Sequence, residues 1–414
     1  MGGKPNNPSK YWQWRLECLG HTLIEGLAGL LPGPWAFRLG EALGGMVWHF
    51  MPLRRKRILR NLRIAFVGEK DLPELRRMAK ETFRRTAGNL ISAARTARLT
   101  PQQLGEVIHI ENLELLVQAL EGGKGVVLLL SHMGNWEVLS RFIHLFPPGS
   151  RTGAFYRPLN NELLDQRVLA RRQADGTRMF SKGDNPLHVA GFLREGGIVG
   201  ILADQRVGMK GELVSFFGRI TRASPLPSLL ARRSKSNVLA LSLTTCAPGK
   251  WSARFVPVGA SRTTAECMVA LEQAMKASPV DVFWFQERWK AFVHSYRGIA
   301  KWLGEEATTG DKPHRALLWL AGVPASWRIP EEWTHPDVIY EAALAPGQAL
   351  PAWLPASTRV HVAPGRADRD SLQTSIATID AAASLPLDFI LTLQAPKALI
   401  KAGRREAVVV LSLS

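Results

Sequence analysis

The residues that could do chemistry gather in VVLLLSHMGNWEVLS, residues 126–140. An aliphatic run ends in Ser131 and His132, Gly134 and Asn135 follow, and Glu137 comes five positions after the histidine. An imidazole held by a carboxylate at Nδ1 keeps one tautomer and leaves Nε2 free to take a proton from a hydroxyl. That pair is the histidine and acid portion of a catalytic triad, with the attacking oxygen supplied by a substrate alcohol. A helix starting near Asn135 puts Glu137 in its first turn, where the positive end of the helix dipole favours a carboxylate. The spacing H-x4-E arises often by chance among ten histidines. Its place after a strand and before Gly-Asn-Trp is what singles this one out.

The elements that must position these residues follow from periodicity. ELLVQALEGGKGVVLLLSH reads as helix, glycine turn and strand. NPLHVAGFLREGGIVGILADQ repeats that order, and SPLPSLLARRSKSNVLALSLTTC gives a third helix-then-strand unit. Repetition of this kind predicts an α/β layer fold with functional residues at the carboxyl ends of buried strands, where both His132 and Asp204 fall. Ser131 lacks a G-x-S-x-G frame, no HExxH or clustered metal-ligand set occurs, and no Gly-rich phosphate loop is present, so serine hydrolase, metal hydrolase and nucleotide chemistry are disfavoured. Neither a metal nor a cofactor is predicted.

Charge narrows the partners. The chain of 414 residues carries a formal net charge of +18, which implies attraction to something acidic. Residues 51–100 hold 14 Lys/Arg against 4 Asp/Glu, whereas residues 305–414 hold 10 against 12. Residues 11–66 are rich in Trp, Leu and Gly, yet no window of about 18 residues is free of charge or proline, which argues against a spanning helix. Trp12, Trp14, Trp35 and Trp48, followed by Arg54, Arg55, Lys56, Arg57, Arg60 and Arg63, suit a segment lying on an anionic bilayer; ordinary core helices with a basic polar face are the blander alternative. Nucleic acid is not expected, since no recognisable binding module accompanies the arginines. Three cysteines without pairing or CxxC spacing predict neither a disulfide framework nor a zinc ribbon, and no secretory leader is predicted. The expected organisation is a basic amphipathic helical region over residues 1–104, a core over 105–304, and a near-neutral α/β or α+β appendage over 305–414. RALLWLAGVP, DVIYEAAL, TRVHVAPG and DFILTLQAP read as the strands of that appendage, and its His361 and Asp370 as surface or turn residues.

HMGNWE resembles the HxGNWE block of the bacterial lipid A biosynthesis acyltransferases, within the H-x4-D/E glycerolipid acyltransferase group. Three further blocks occur in the family's order: YRPLNNELLD, GGIVGILADQRVG with the following SFFGRITRASPLP, and VFWFQERWKAF. Together they span roughly residues 15–295. The resemblance implies a mixed sheet flanked by helices. It also implies transfer of a fatty acyl group from acyl carrier protein, or acyl-coenzyme A, to a hydroxyl of a glycolipid such as a lipid A precursor. His132 would then be the general base, Glu137 its orienting partner, and backbone amides near Gly134 and Asn135 the donors to the tetrahedral oxyanion. Asn135, Arg157, Asp204, Arg206 and Arg288 are the substrate-binding candidates. Arg157 could hold a phosphate, or form a structural ion pair with a residue such as Asp165. Asp204 could orient that arginine or a sugar hydroxyl, or merely cap a helix. In the last block Gln286 and Glu287 stand where the family tends to have His and Arg, while Arg288, Trp289 and Lys290 persist. A cytoplasmic-face inner-membrane enzyme is the expectation. Other lipid acceptors (a lysophospholipid, an aminolipid, a mannosylated inositol lipid) and a noncatalytic binding protein are the rivals.

Overall fold

A computed structural model describes residues 8–181, 183–207, 211–289, 312–333 and 338–413. The chain divides into two compact units. One comprises Met1–Phe50, Lys80–Gln205 and Ala223–Phe283, and the other Met51–Ala79, Arg206–Arg222 and Trp284–Ser414. The second unit is therefore larger than the appendage read from sequence, since it also gathers the basic segment after residue 50 and the hairpin near residue 217. Residues 290–311, which include Lys290 and the start of the expected appendage, lie outside the described residues.

The first unit begins with helices α1 (Pro8–Leu30) and α2 (Gly33–Phe50), and includes most of α4 (Leu72–Thr96). Its seven-stranded sheet runs in the order β1-β9-β8-β2-β5-β3-β4. These are β1 Ile108–Ile110, β2 Val126–Leu130, β3 Thr152–Tyr156, β4 Arg178–Ser181, β5 Ile198–Leu202, β8 Asn237–Ala247 and β9 Lys250–Pro257. All pairs are parallel except β8 with β9, so the sheet is mixed and the fold α/β. The three helix-then-strand units form as their periodicity predicts. Leu113–Leu120 leads into β2, Pro186–Arg194 into β5 and Leu226–Ser234 into β8. Every residue of β2 is buried, because a strand flanked by β5 and β8 and covered on both faces needs apolar side chains in both directions. Its Leu128 and Leu130 pack with Val138, Phe142, Leu239, Leu241 and Trp251 in the main core.

In the second unit, helix α3 (Pro52–Phe66) buries Ile58, Leu62, Ile64 and Phe66. Strands β6 (Glu212–Phe216) and β7 (Arg219–Ala223) pair across Phe217 and Gly218, both at positive φ as a two-residue hairpin turn demands. The C-terminal part is a five-stranded parallel sheet of order β12-β11-β10-β13-β14. It comprises β10 His314–Trp319, β11 Val338–Leu344, β12 Arg359–Val362, β13 Phe389–Thr392 and β14 Val409–Ser412. The four strands read from sequence occur; β14 and the helices Arg369–Ala381 and Lys397–Arg405 are additional. Chain order reverses between β10 and β13, so right-handed crossovers put early and late connections on opposite faces. Trp333, Trp327 and Leu354 accordingly cover one face, while Leu372, Ile376 and Leu399 cover the other.

Helix α3 corrects the reading of its cations. Arg57 pairs with Glu287 at 3.0 Å, Arg60 with Asp388 at 2.6 Å, Arg63 with Asp380 and Lys56 with Glu406, all inside this unit. These four side chains hold the unit together instead of facing a bilayer. Asp388, buried, also receives Arg219 at 3.1 Å and lies 3.3 Å from His314 Nδ1. Burial alone would raise its pKa, but the surrounding cations hold it far below the usual carboxylate range. His361 is likewise not a turn residue: it lies in β12 with Nε2 2.7 Å from the buried Glu341, which Arg315 grips from the other side. Asp370, by contrast, is exposed in the first turn of its helix.

Candidate active site

Strand register builds the site. Leu130 at the end of β2 pairs with Leu202 at the end of β5. His132 and Asp204 each lie two residues beyond that pair, and the Ala203 amide donates to Leu130 O at 2.9 Å, continuing the ladder. The two side chains are thereby delivered to the same place. Asp204 Oδ1 is 2.8 Å from His132 Nδ1, and its Oδ2 accepts the His132 backbone amide at 3.1 Å. A carboxylate only accepts, so Nδ1 carries the hydrogen and Nε2 keeps its lone pair in the neutral ring. Nε2 in turn lies 3.1 Å from Nε2 of Gln205. Burial disfavours the imidazolium, but the charge and hydrogen bond of Asp204 outweigh it, with a smaller contribution from Glu137, and the His132 pKa is raised. The rings of Trp136 and Phe283 pack against the imidazole, with centroids 5.5 and 6.2 Å away.

The loop from Ser131 to Asn135 is held by the segment that leads into and opens the terminal sequence block. His132 O accepts the Phe283 amide at 2.8 Å, and the Gly134 amide donates to Asp281 O at 3.0 Å. Gly134 has φ +56°, and a Cβ there would fall 2.3 Å from Leu243 O, so both conformation and space demand glycine. The Asp281 carboxylate is buried and accepts from Thr245 N at 2.9 Å, Thr245 Oγ1 at 2.7 Å and Ser278 Oγ at 2.7 Å. Asn135 is buried, with Nδ2 donating to Thr96 Oγ1 at 3.0 Å.

Several expectations change here. Glu137 does not orient His132; Asp204 does. Glu137 instead faces helix α7 (Glu162–Gln173), where Arg172 grips it through Nη2 at 2.8 Å and Nε at 3.2 Å. The physical reason is the left-handed turn at Gly134, which separates His132 from the helix carrying Glu137, so the two never share a helical face. That helix, Trp136–His144, is a 3₁₀ helix. The Gly134 amide is already spent on Asp281 and is not a free oxyanion donor. Asp204 is neither a helix cap nor a partner of Arg157. Arg157 is exposed just past the carboxyl end of β3, and Asp165 is engaged with the Leu159 amide at 2.8 Å. Arg206, exposed, and Arg288, buried with its guanidinium 4.6 Å from the Phe216 ring centre, belong to the second unit. Gln205 stood in the sequence only as part of the GGIVGILADQRVG block, with no role, and Arg172 had none either. The signal for Gln205 was its place directly after a strand-end aspartate; Arg172 had none beyond its helix. Among the described residues no cluster of His, Cys, Asp and Glu could hold a metal ion.

Helix α1 is anchored beside α7 by polar contacts. Asn161 Nδ2 donates to Trp14 O at 3.0 Å and Glu17 Oε2 at 2.9 Å, and Arg171 pairs with Glu25. Its other face leaves Trp12, Leu16, Leu19, Leu23, Leu27 and Leu30 exposed at three- and four-residue spacing. No described helix is long and apolar enough to cross a membrane.

The family model for bacterial lipid A biosynthesis acyltransferase matches residues 9–291. A phosphatidylinositol mannoside acyltransferase of Mycolicibacterium smegmatis is 28% identical over 134 residues, 31% of this chain and 43% of that relative. A lipid A biosynthesis lauroyltransferase of Escherichia coli is 23% identical over 299 residues, 68% of this chain and 92% of that protein.

Proposed function

Starting from the fact that this chain belongs to the bacterial lipid A biosynthesis acyltransferase family, we propose that it moves a fatty acyl group from a thioester donor to a hydroxyl of a membrane glycolipid, with His132 as general base. The observation that carries the mechanism is the Asp204–His132 pair at 2.8 Å, with Nε2 as the unprotonated nitrogen. The acceptor O–H gives its proton to Nε2 as its oxygen bonds to the thioester carbonyl carbon. Collapse of the tetrahedral oxyanion breaks the C–S bond, and the imidazolium returns the proton to the departing thiolate. Asp204 keeps the ring in the required tautomer and stabilises its charge while it holds the proton.

The donor is acyl carrier protein or acyl-coenzyme A, both of which present the same thioester, and the surplus of arginine suits the acidic carrier. Arg157, beyond β3, is the candidate to hold an anionic group of donor or acceptor. Glu137 holds Arg172 in this scheme. The exposed apolar stripe of α1 supports action at an anionic membrane surface, which we place at the cytoplasmic face of the inner membrane. The acceptor reading is a lipid A precursor; the higher local identity to the mannoside acyltransferase keeps a mannosylated inositol lipid as the second reading.

The test is direct. Purified protein is incubated with lauroyl- and palmitoyl-loaded acyl carrier protein or coenzyme A, and with vesicles containing a lipid A precursor, a phosphatidylinositol mannoside or a lysophospholipid. Products are read by mass spectrometry. Acylation of one glycolipid, lost in His132→Ala, is expected; absence of acyl transfer to all three acceptors would sink the reading.

A further inference from the structure

Gln205 stands where the acceptor hydroxyl must arrive. Nδ1 of His132 is committed to Asp204, so Nε2 is the one ring nitrogen able to take a proton, and it is this atom that the Gln205 amide meets at 3.1 Å. Because the neutral ring offers a lone pair there, the amide presents its N–H₂. Position 205 follows directly on Asp204, whose two hydrogen bonds to His132 hold this stretch of backbone against the base. Trp136 and Phe283 pack against the ring, and Gln205 supplies the polar contact at its free nitrogen.

Two properties of an amide matter. It is neutral, so it leaves the base unprotonated, whereas a carboxylate in its place would favour the imidazolium. It also offers a donor and an acceptor, so by turning over it can accept from the ring once Nε2 is protonated. One net hydrogen bond of this kind is worth a factor of about two to ten, weak enough for a docked alcohol to displace.

A base that activates hydroxyls faces a chemical problem, since water is a hydroxyl too. Water at Nε2 would lose its proton to the ring as its oxygen attacks the thioester carbon. The C–S bond would break, the thiolate would take the proton back, and acid and thiol would leave with no lipid acylated. We propose that Gln205 gates the base: its amide occupies Nε2 in the resting site, keeps water from being activated there, and gives way to the acceptor hydroxyl, thereby suppressing hydrolysis of the donor. This inference rests on the acyl-transfer reading, but the covering of Nε2 can be measured without turnover.

Two variants are compared with the unaltered protein in two assays. The first is thiol release from lauroyl-N-acetylcysteamine without any lipid acceptor. The second is the rate at which diethyl pyrocarbonate modifies His132, read by peptide mass spectrometry. Gln205→Ala uncovers the base, so both rates should rise by about two- to tenfold. Gln205→Glu pairs with the charged ring, so both should fall. A purely structural role for Gln205 would not move the two variants in opposite directions. The proposal is overturned if Gln205→Ala leaves His132 modification at the original rate, or if its acceptor-free thiol release falls in step with lipid acylation. If no form of the protein releases thiol or acylates lipid, the acyl-transfer reading fails, and the modification rates alone decide whether Gln205 covers the base.

Discussion

Replacing Asp204 by asparagine keeps the shape of the side chain, removes its charge and halves its accepting capacity. Both oxygens are in use: Oδ1 on His132 Nδ1 at 2.8 Å and Oδ2 on the His132 backbone amide at 3.1 Å. Asparagine has one oxygen for these two donors. The backbone N–H cannot change its role, so the amide oxygen turns to it and the NH₂ faces the ring. His132 then adopts the other tautomer, with Nδ1 accepting and Nε2 carrying the hydrogen, and the base is lost. General-base catalysis contributes about 10²–10⁴ in rate, and the wrong tautomer in a serine-protease triad costs about 10⁴. We therefore expect Asp204→Asn to lower kcat by about 10²–10⁴, equivalent to about 3–5 kcal/mol of barrier, with little change in KM. Glu137→Gln loses a partly exposed pair with Arg172, of the kind worth about 1 kcal/mol or less, and should cost under about tenfold. The assay is acyl transfer to whichever acceptor the vesicle screen finds acylated, measured for both variants alongside His132→Ala. A fall of 100-fold or more in Glu137→Gln (on the order of the general-base contribution), with Asp204→Asn within about tenfold of the unaltered protein, would refute the assignment of Asp204 as the orienting acid.

Because Asp204 raises the His132 pKa, the base form appears only above the ordinary histidine value. The kcat/KM profile should therefore rise with pH through a midpoint above 6.5, and a midpoint at or below that value would contradict the pairing. The same pair stabilises the fold most below the unfolded histidine pKa, and that contribution is lost as pH rises through the raised one. Gly134→Ala should lower stability by about 2–4 kcal/mol, from the left-handed backbone and the approach of Leu243 O, as read by denaturant unfolding. Asp388→Asn leaves Arg60 and Arg219 without their shared buried carboxylate and should destabilise the second unit by about 3–5 kcal/mol, seen as early loss of protection in hydrogen exchange over β10 and β13. Leu16→Glu with Leu23→Glu should weaken capture by anionic vesicles in flotation by at least about tenfold, and unchanged capture would remove α1 as the docking face.

Much of the protein was legible because its signals are local. The strands β2 and β5 announce themselves as short aliphatic runs after glycine turns, and Gly134 as a loop residue after a strand-end histidine. That the imidazole at 132 would have a carboxylate partner was likewise readable from residue types, whereas the burial of Trp14 within α1 was not. What the tertiary structure decided is which carboxylate. Sequence proximity favoured Glu137, but parallel pairing of Leu130 with Leu202 sets His132 beside Asp204, while Arg172 on α7 draws Glu137 away. Arg57, Arg60 and Arg63 of α3 tell the same story, reading as part of a membrane-facing row until the carboxylates of Glu287, Asp388 and Asp380 are found against them. Periodicity is written into neighbouring residues, whereas the partner of a charge depends on strand register and helix docking between segments far apart in the chain.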